Sequence, residues 1–163
     1  PWLATNILTA LAAASVIGLF EGSIAQLVAL AVLMPIVASM GGNAGTQTLT
    51  VAVRGLATKG LTADNSKRVI RREALVGLLN GTIFGLAVGA VTFFWFGNFG
   101  LGAVIGLAMI INLFVAALAG ILVPLALDKL GADPALASPT FVTTVTDVVG
   151  FFAFLGLATV VLL

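Results

Sequence analysis

Apolar residues along this chain do not alternate with polar ones. They run on in long blocks, so the interruptions carry the information. Windows free of charge cover approximately residues 2–20, 25–53, 74–96, 101–127 and 137–163, the last broken by Asp147 alone. A hydrocarbon layer about 30 Å thick is crossed by roughly 20 apolar residues in helical form, so each block predicts one transmembrane helix. The second block is long enough to be tilted or broken.

Polar and small residues inside the blocks follow helical spacing. In the third, Gly77, Gly81, Gly85 and Gly89 recur every four residues and line one helix face. Such small-residue ridges let helix backbones approach closely in lipid, which predicts packing against a neighbouring helix. Asn80 beside that ridge, and Asn112 in the fourth block, suit a hydrogen bond across an interface or a place on a pore wall, the former being the expectation. Pro35 and Pro124 each remove a backbone donor within a span and favour a kink. The second block contains "MPIVASMGGNAGTQTLTVAV", where Gly41, Gly42, Asn43 and Gly45 are expected to interrupt the helix near mid-membrane. Backbone freed at that depth must be satisfied by protein or by a water-filled cavity. Asn43, Thr46, Gln47 and Thr50 also make one polar stripe at offsets of three and four, which points to contact with water or ions.

Composition fixes the class. With 61% hydrophobic and 8% charged residues, and a mean hydropathy of +1.24, the chain lies far outside the range of soluble domains. An all-α membrane protein of five transmembrane helices is expected, in contact with lipid. Cys, His and Tyr are absent, which removes disulfides, thiol chemistry, imidazole ligands and histidine proton relays. No phosphate-binding loop, dinucleotide fingerprint or zinc ligand set occurs. The spacing of Ser138 and Lys129 does not support a hydrolytic dyad. Neither enzyme activity nor nucleic-acid binding is expected.

Charge supplies orientation. Of seven Lys and Arg residues, six (Arg54, Lys59, Lys67, Arg68, Arg71 and Arg72) lie between the second and third blocks. The positive-inside rule makes that loop cytoplasmic, so five spans put the N-terminus in the cytoplasm and the C-terminus outside. Glu21 and "FGNFG" then lie outside, and "LDKLGADPALASP" inside. The basic residues also suit anionic lipid. The run "SKRVIRREALVGLL" reads as an interfacial start to the third helix, with Glu73 at its edge. The opening "PWLATNILTA" carries neither Met nor a basic stretch, and a membrane domain with further chain upstream is expected.

Asp147 is the anomaly. Thr140, Thr143, Thr144, Asp147 and Gly150 share one face of the last helix. At 1.5 Å per residue, Asp147 lies roughly 10–15 Å from the start of that helix, inside the hydrocarbon. An ionised Asp at mid-span costs about 2.5–3.5 kcal/mol on insertion scales and usually faces a cavity or a partner. It could carry a proton, pair with a base, or sit in a watery path used by cations; no span offers a Lys or Arg near its middle for the second. One carboxylate cannot build a dehydrated divalent site. Magnesium, however, parts with water reluctantly, so a wide site could hold the hydrated ion through its waters. Two chains about a twofold axis would bring two carboxylates, matching one divalent cation.

The stretches "LMPIVASMGGNAGTQTLTVAVRGLA" and "DPALASPTFVTTVTDVVGFFAFLGLA", with the basic loop between them, resemble the transmembrane domain of the MgtE family of magnesium transporters and channels. The resemblance covers all five spans. It implies a homodimer of five-helix subunits in a bacterial plasma membrane, with a pore at the dimer interface that conducts Mg2+ down its electrochemical gradient. It implies that Asp147 holds hydrated magnesium, with Thr140, Thr143, Thr144 and Gly150 lining the pore. Gly41, Gly42, Asn43 and Gln47 match the family's other motif. It also implies cytoplasmic magnesium-sensing domains elsewhere in the full-length chain. From the residues alone, sodium, calcium, manganese or a proton stay open as the ion. A proton- or sodium-coupled exporter of divalent cations, or a non-conducting scaffold, are the alternatives. Asp128 and Asp133 at the cytoplasmic mouth, and Glu21 outside, are further candidates for concentrating cations.

Overall fold

The computed structural model describes Pro1–Leu163. The chain forms α1 (Trp2–Leu19), α2 (Glu21–Gln26), α3 (Ala29–Ala57), α4 (Ser66–Phe96), α5 (Phe99–Lys129) and α6 (Pro134–Leu162), with no strand. Five of these are long and apolar enough to cross a membrane. They correspond to the five blocks, and the short α2 occupies the turn between the first two.

Boundaries follow local chemistry. Gly97 ends α4 in the left-handed conformation, with φ 64°, which a residue without Cβ adopts at little cost. Asn98 then caps α5, its Oδ1 accepting from the Leu101 N–H at 3.1 Å. Asp133 caps α6, with Oδ1 2.9 Å from the Ala135 N–H and Pro134 in the first turn. The basic run forms the start of α4, from Ser66 onward.

One expectation fails. The glycine-rich segment does not break: α3 is continuous from Ala29 to Ala57, through Pro35 and all of Gly41, Gly42, Asn43 and Gly45. In an apolar medium every released backbone group costs several kcal/mol, so a helix there keeps its own hydrogen bonds. The buried positions of α3 are Leu30, Leu33, Val37, Gly41, Gly45, Leu49 and Ala52. They recur at three and four residues, so two of the glycines serve packing.

Helix α5 is the central element, carrying the largest share of buried residues. Helices α3, α4 and α6 all pack on it, α3 and α6 pack on each other, and α1 leans on α6. Helices α3 and α4 barely touch. The main core unites Leu30, Leu33 and Val37 of α3 with Ile105, Met109 and Leu113 of α5 and Phe154 and Leu155 of α6. It fills the half of the bundle remote from the basic loop.

The α4–α5 seam is built on the predicted glycine ridge. A Cβ placed on Gly81, Gly85 or Gly89 would fall 2.9, 2.6 or 2.8 Å from backbone atoms of Ile110, Gly106 and Gly102 respectively. Backbone thus meets backbone, and dispersion rather than water exclusion drives the contact in lipid. The opposite face of α4 exposes Leu75, Leu79, Ile83 and Leu86, which suits the chains of a bilayer.

Candidate functional site

Helices α3 and α6 carry the candidate residues and pack directly together. Their contact face is made of small side chains. A Cβ on Gly45 would lie 2.7 Å from Cγ1 of Val142 and 3.5 Å from Cγ2 of Thr146. Higher along the pair stands Asn112 of α5, fully buried, whose Nδ2 donates to the Val37 carbonyl at 3.1 Å. Its amide fills the space left by two glycines, Gly41 of α3 and Gly150 of α6. The amide therefore ties α3 to α5 at the level where α6 crosses. Its Oδ1 has no partner within the chain.

Two of the pore-lining candidates are packed inside the subunit. Gly41 and Gly150 are buried and both face Asn112 inside the subunit; further copies of the chain can only add to their burial. Helical offset puts Gly150 near Asp147 on the wheel, but the difference of three residues is enough to turn it to the interior. Asn112 is buried at the same junction and hydrogen-bonds to α3.

The remaining candidates stay accessible. Asp147 is half-buried, and Thr140, Thr143 and Thr144 beside it are partly exposed. On α3, Asn43, Thr46, Gln47 and Thr50 are exposed and Gly42 is partly so, with nothing within 4 Å of where its Cβ would be. Ser39, which sequence reading passed over, extends this stripe by one turn and receives a long contact of 3.5 Å from Asn43 Nδ2. Its offset of four from Asn43 was the signal that could have found it.

The hydroxyls are arranged as acceptors. Thr46 donates to the Gly42 carbonyl at 2.8 Å and Thr50 to the Thr46 carbonyl at 2.9 Å. On α6, Thr143 donates to Pro139 O at 2.9 Å and Thr144 to Thr140 O at 2.6 Å. With each proton committed to its own helix, a threonine oxygen has only lone pairs left for what lies outside. The waters around a cation direct their hydrogens outward. A wall of carboxylate and such hydroxyls therefore accepts from a hydrated cation and offers little to an anion.

Asp128, Asp133 and Glu21 are exposed. Asp133 spends one oxygen on its cap. Asn80 is exposed on α4 and faces the cleft between α4 and α3. No three acidic side chains come together as a ready-made metal site within one chain.

Comparison with known proteins agrees with this chemistry. Residues 34–157 match the family model described as MgtE, divalent cation transporter. Among curated relatives, the magnesium transporter MgtE of Enterococcus faecalis is 42% identical over 158 residues, covering 97% of this chain and 35% of that protein. The proteins of the same name from Bacillus subtilis and Thermus thermophilus are 35% and 38% identical. They cover 98% and 99% of this chain and 35% and 36% of their own lengths. The chain thus spans about a third of the length of these relatives. An integral membrane protein of five candidate spans, it belongs to the MgtE family of divalent cation transporters.

Proposed function

We propose that this chain is the membrane part of a magnesium channel, in which two copies pack about a twofold axis and the cation passes between them. Hydrated Mg2+ is held at mid-membrane by the Asp147 carboxylates of both copies. The observation that carries the reading is a polar surface where a lipid-facing one is expected: Ser39, Asn43, Thr46 and Thr50 of α3 are exposed, and Asp147 of the adjoining α6 is half-buried without an ionic partner. Polar groups at this depth require water or a second polar surface. A twofold copy supplies both, since it covers the stripe with itself and doubles the carboxylate charge to match a divalent ion.

Chemistry then follows from hydration. Magnesium releases water reluctantly, so the wall binds the aquo ion, with Asp147 and the threonine oxygens accepting from its waters. The names of the relatives, all magnesium transporters, support magnesium as cargo. The basic α3–α4 loop supports a cytoplasmic N-terminus by the positive-inside rule, in a bacterial plasma membrane. The share of the relatives left uncovered leaves room for magnesium-sensing domains in the full-length chain.

The test is magnesium flux into liposomes from the parent protein and Asp147→Asn at equal density. Loss of flux with the dimer retained is expected. Unchanged flux would refute the role of Asp147, and uptake driven by a pH gradient without a magnesium gradient would favour a coupled carrier.

A further inference from the structure

A second polar site lies off the proposed path. Because α3 and α4 both rest on α5 yet barely touch one another, a cleft of about 170 Å³ opens between them. Its floor is Leu113 and Ala117 of α5, and its walls carry Glu73 and Asn80 of α4 and Gln47 and Thr48 of α3. Glu73 and Asn80 are seven residues apart, two turns, and so share one face of α4. At 1.5 Å per residue, Glu73 is about 10 Å and Gln47 about 15 Å from the ends of their helices nearest the basic loop. Glu73, next to Arg71 and Arg72, therefore stands at the interfacial edge of the cleft, with Gln47 and Asn80 deeper in the span.

Its polar groups are uncommitted. The neighbouring threonines of α3, Thr46 and Thr50, donate to their own helix, but Thr48, Gln47, Asn80 and Glu73 engage in no side-chain hydrogen bond or ion pair within the chain. The basic residues closest in sequence, Arg71 and Arg72, are exposed and leave the α4 axis in other directions, at 200° and 100° from Glu73 respectively. Gln47 and Asn80, which lie within the span, call for water or another polar occupant in the cleft. A lipid tail offers them nothing, and an anionic headgroup is repelled by the carboxylate. At roughly 30 Å³ per water the space admits about six waters, comparable to the shell of an octahedral aquo ion.

We propose that this cleft is a second station for a hydrated divalent cation, with Glu73 supplying the charge and Gln47, Thr48 and Asn80 holding the waters. The proposal rests on the divalent-cation reading above but not on Asp147. It gives each subunit a private site beside the shared path, where a cation is held close to the basic-loop end of α3.

Mn2+ serves as the probe, its binding to the full-length protein in neutral-lipid nanodiscs counted by electron paramagnetic resonance. Glu73→Gln is expected to remove one Mn2+ per chain while Asp147→Asn leaves that ion in place. Asn80→Leu, which keeps the charge and removes a water ligand, is expected to weaken the same ion about tenfold, equivalent to 1.4 kcal/mol, and decides the matter if Glu73→Gln does not fold. Equal Mn2+ counts in the parent and Glu73→Gln, or in the parent and a folded Asn80→Leu at every concentration, would overturn the site. If Asp147→Asn alone changes binding and flux, the cleft is refuted and the channel reading stands. If flux survives Asp147→Asn while the Glu73 ion persists, the reverse holds.

Discussion

Helices α3 and α4 use the same device to opposite ends. Each turns a row of glycines to α5 and its neighbours: Gly41 and Gly45 on one, Gly77, Gly81 and Gly85 on the other. Their backs differ. Behind its glycines α4 exposes Leu75, Leu79, Ile83 and Leu86, whereas α3 exposes Ser39, Asn43, Thr46 and Thr50. Glycine spacing therefore says only that a helix is closely packed. The residues opposite it differ, apolar on α4 and polar on α3, and the proposed cation path rests on that contrast.

The contrast can be broken at several points. The largest effect is expected at Asp147, where Asp147→Ala removes a charge-assisted contact worth about 2–3 kcal/mol to the ion, a roughly hundredfold loss of magnesium flux. Cross-linking should meanwhile recover as much dimer as in the parent. Next comes the α4 seam. Gly85→Val drives a side chain into the Gly106 carbonyl, and overpacking of this kind costs about 1–3 kcal/mol. A lower thermal midpoint with unaltered ion selectivity in the surviving protein is the expected pair of results; altered selectivity would bring α4 onto the path.

A smaller effect is expected at the glycine–amide junction. Gly41→Ala should destabilise the protein by pressing on Asn112, and Asn112→Ala should cost about 1 kcal/mol of hydrogen bonding. Together they should cost less than their sum, because the alanine at 41 then occupies space the amide has left. Additive losses in thermal denaturation would deny the contact. Thr46→Val, on the exposed stripe, should lower conductance only a few-fold, by the loss of one acceptor worth about 0.5–1.5 kcal/mol, while Leu79→Val on the back of α4 leaves it unchanged. Smallest of all is Asp128→Asn with Asp133→Asn, which keeps the α6 cap. Conductance should fall at low ionic strength and recover toward the parent's as salt screens the mouth.

Much of this was legible beforehand because length and hydropathy are one-dimensional properties. The five spans, the α4 ridge and the Thr140 to Asp147 face all follow from counting along one helix. The fate of the α3 glycines did not. Whether Gly41 loosens a helix or receives a neighbour depends on Asn112, 71 positions away in the sequence, and the same amide packs against Gly150 of α6. The polar cleft was hidden for a like reason. Gln47 and Glu73 belong to separate spans, and only the failure of α3 and α4 to touch brings their side chains to one space.

The most direct test of the central claim compares the two backs. Single cysteines at Asn43, Thr46 and Thr50 of α3, and at Leu79, Ile83 and Leu86 of α4, would be exposed to a membrane-impermeant cationic thiol reagent in an otherwise cysteine-free full-length protein, with magnesium flux recorded before and after. The account predicts rapid modification and block at the α3 positions and neither at the α4 positions. Equal reactivity of the two sets, or modification of α3 without effect on flux, would contradict it.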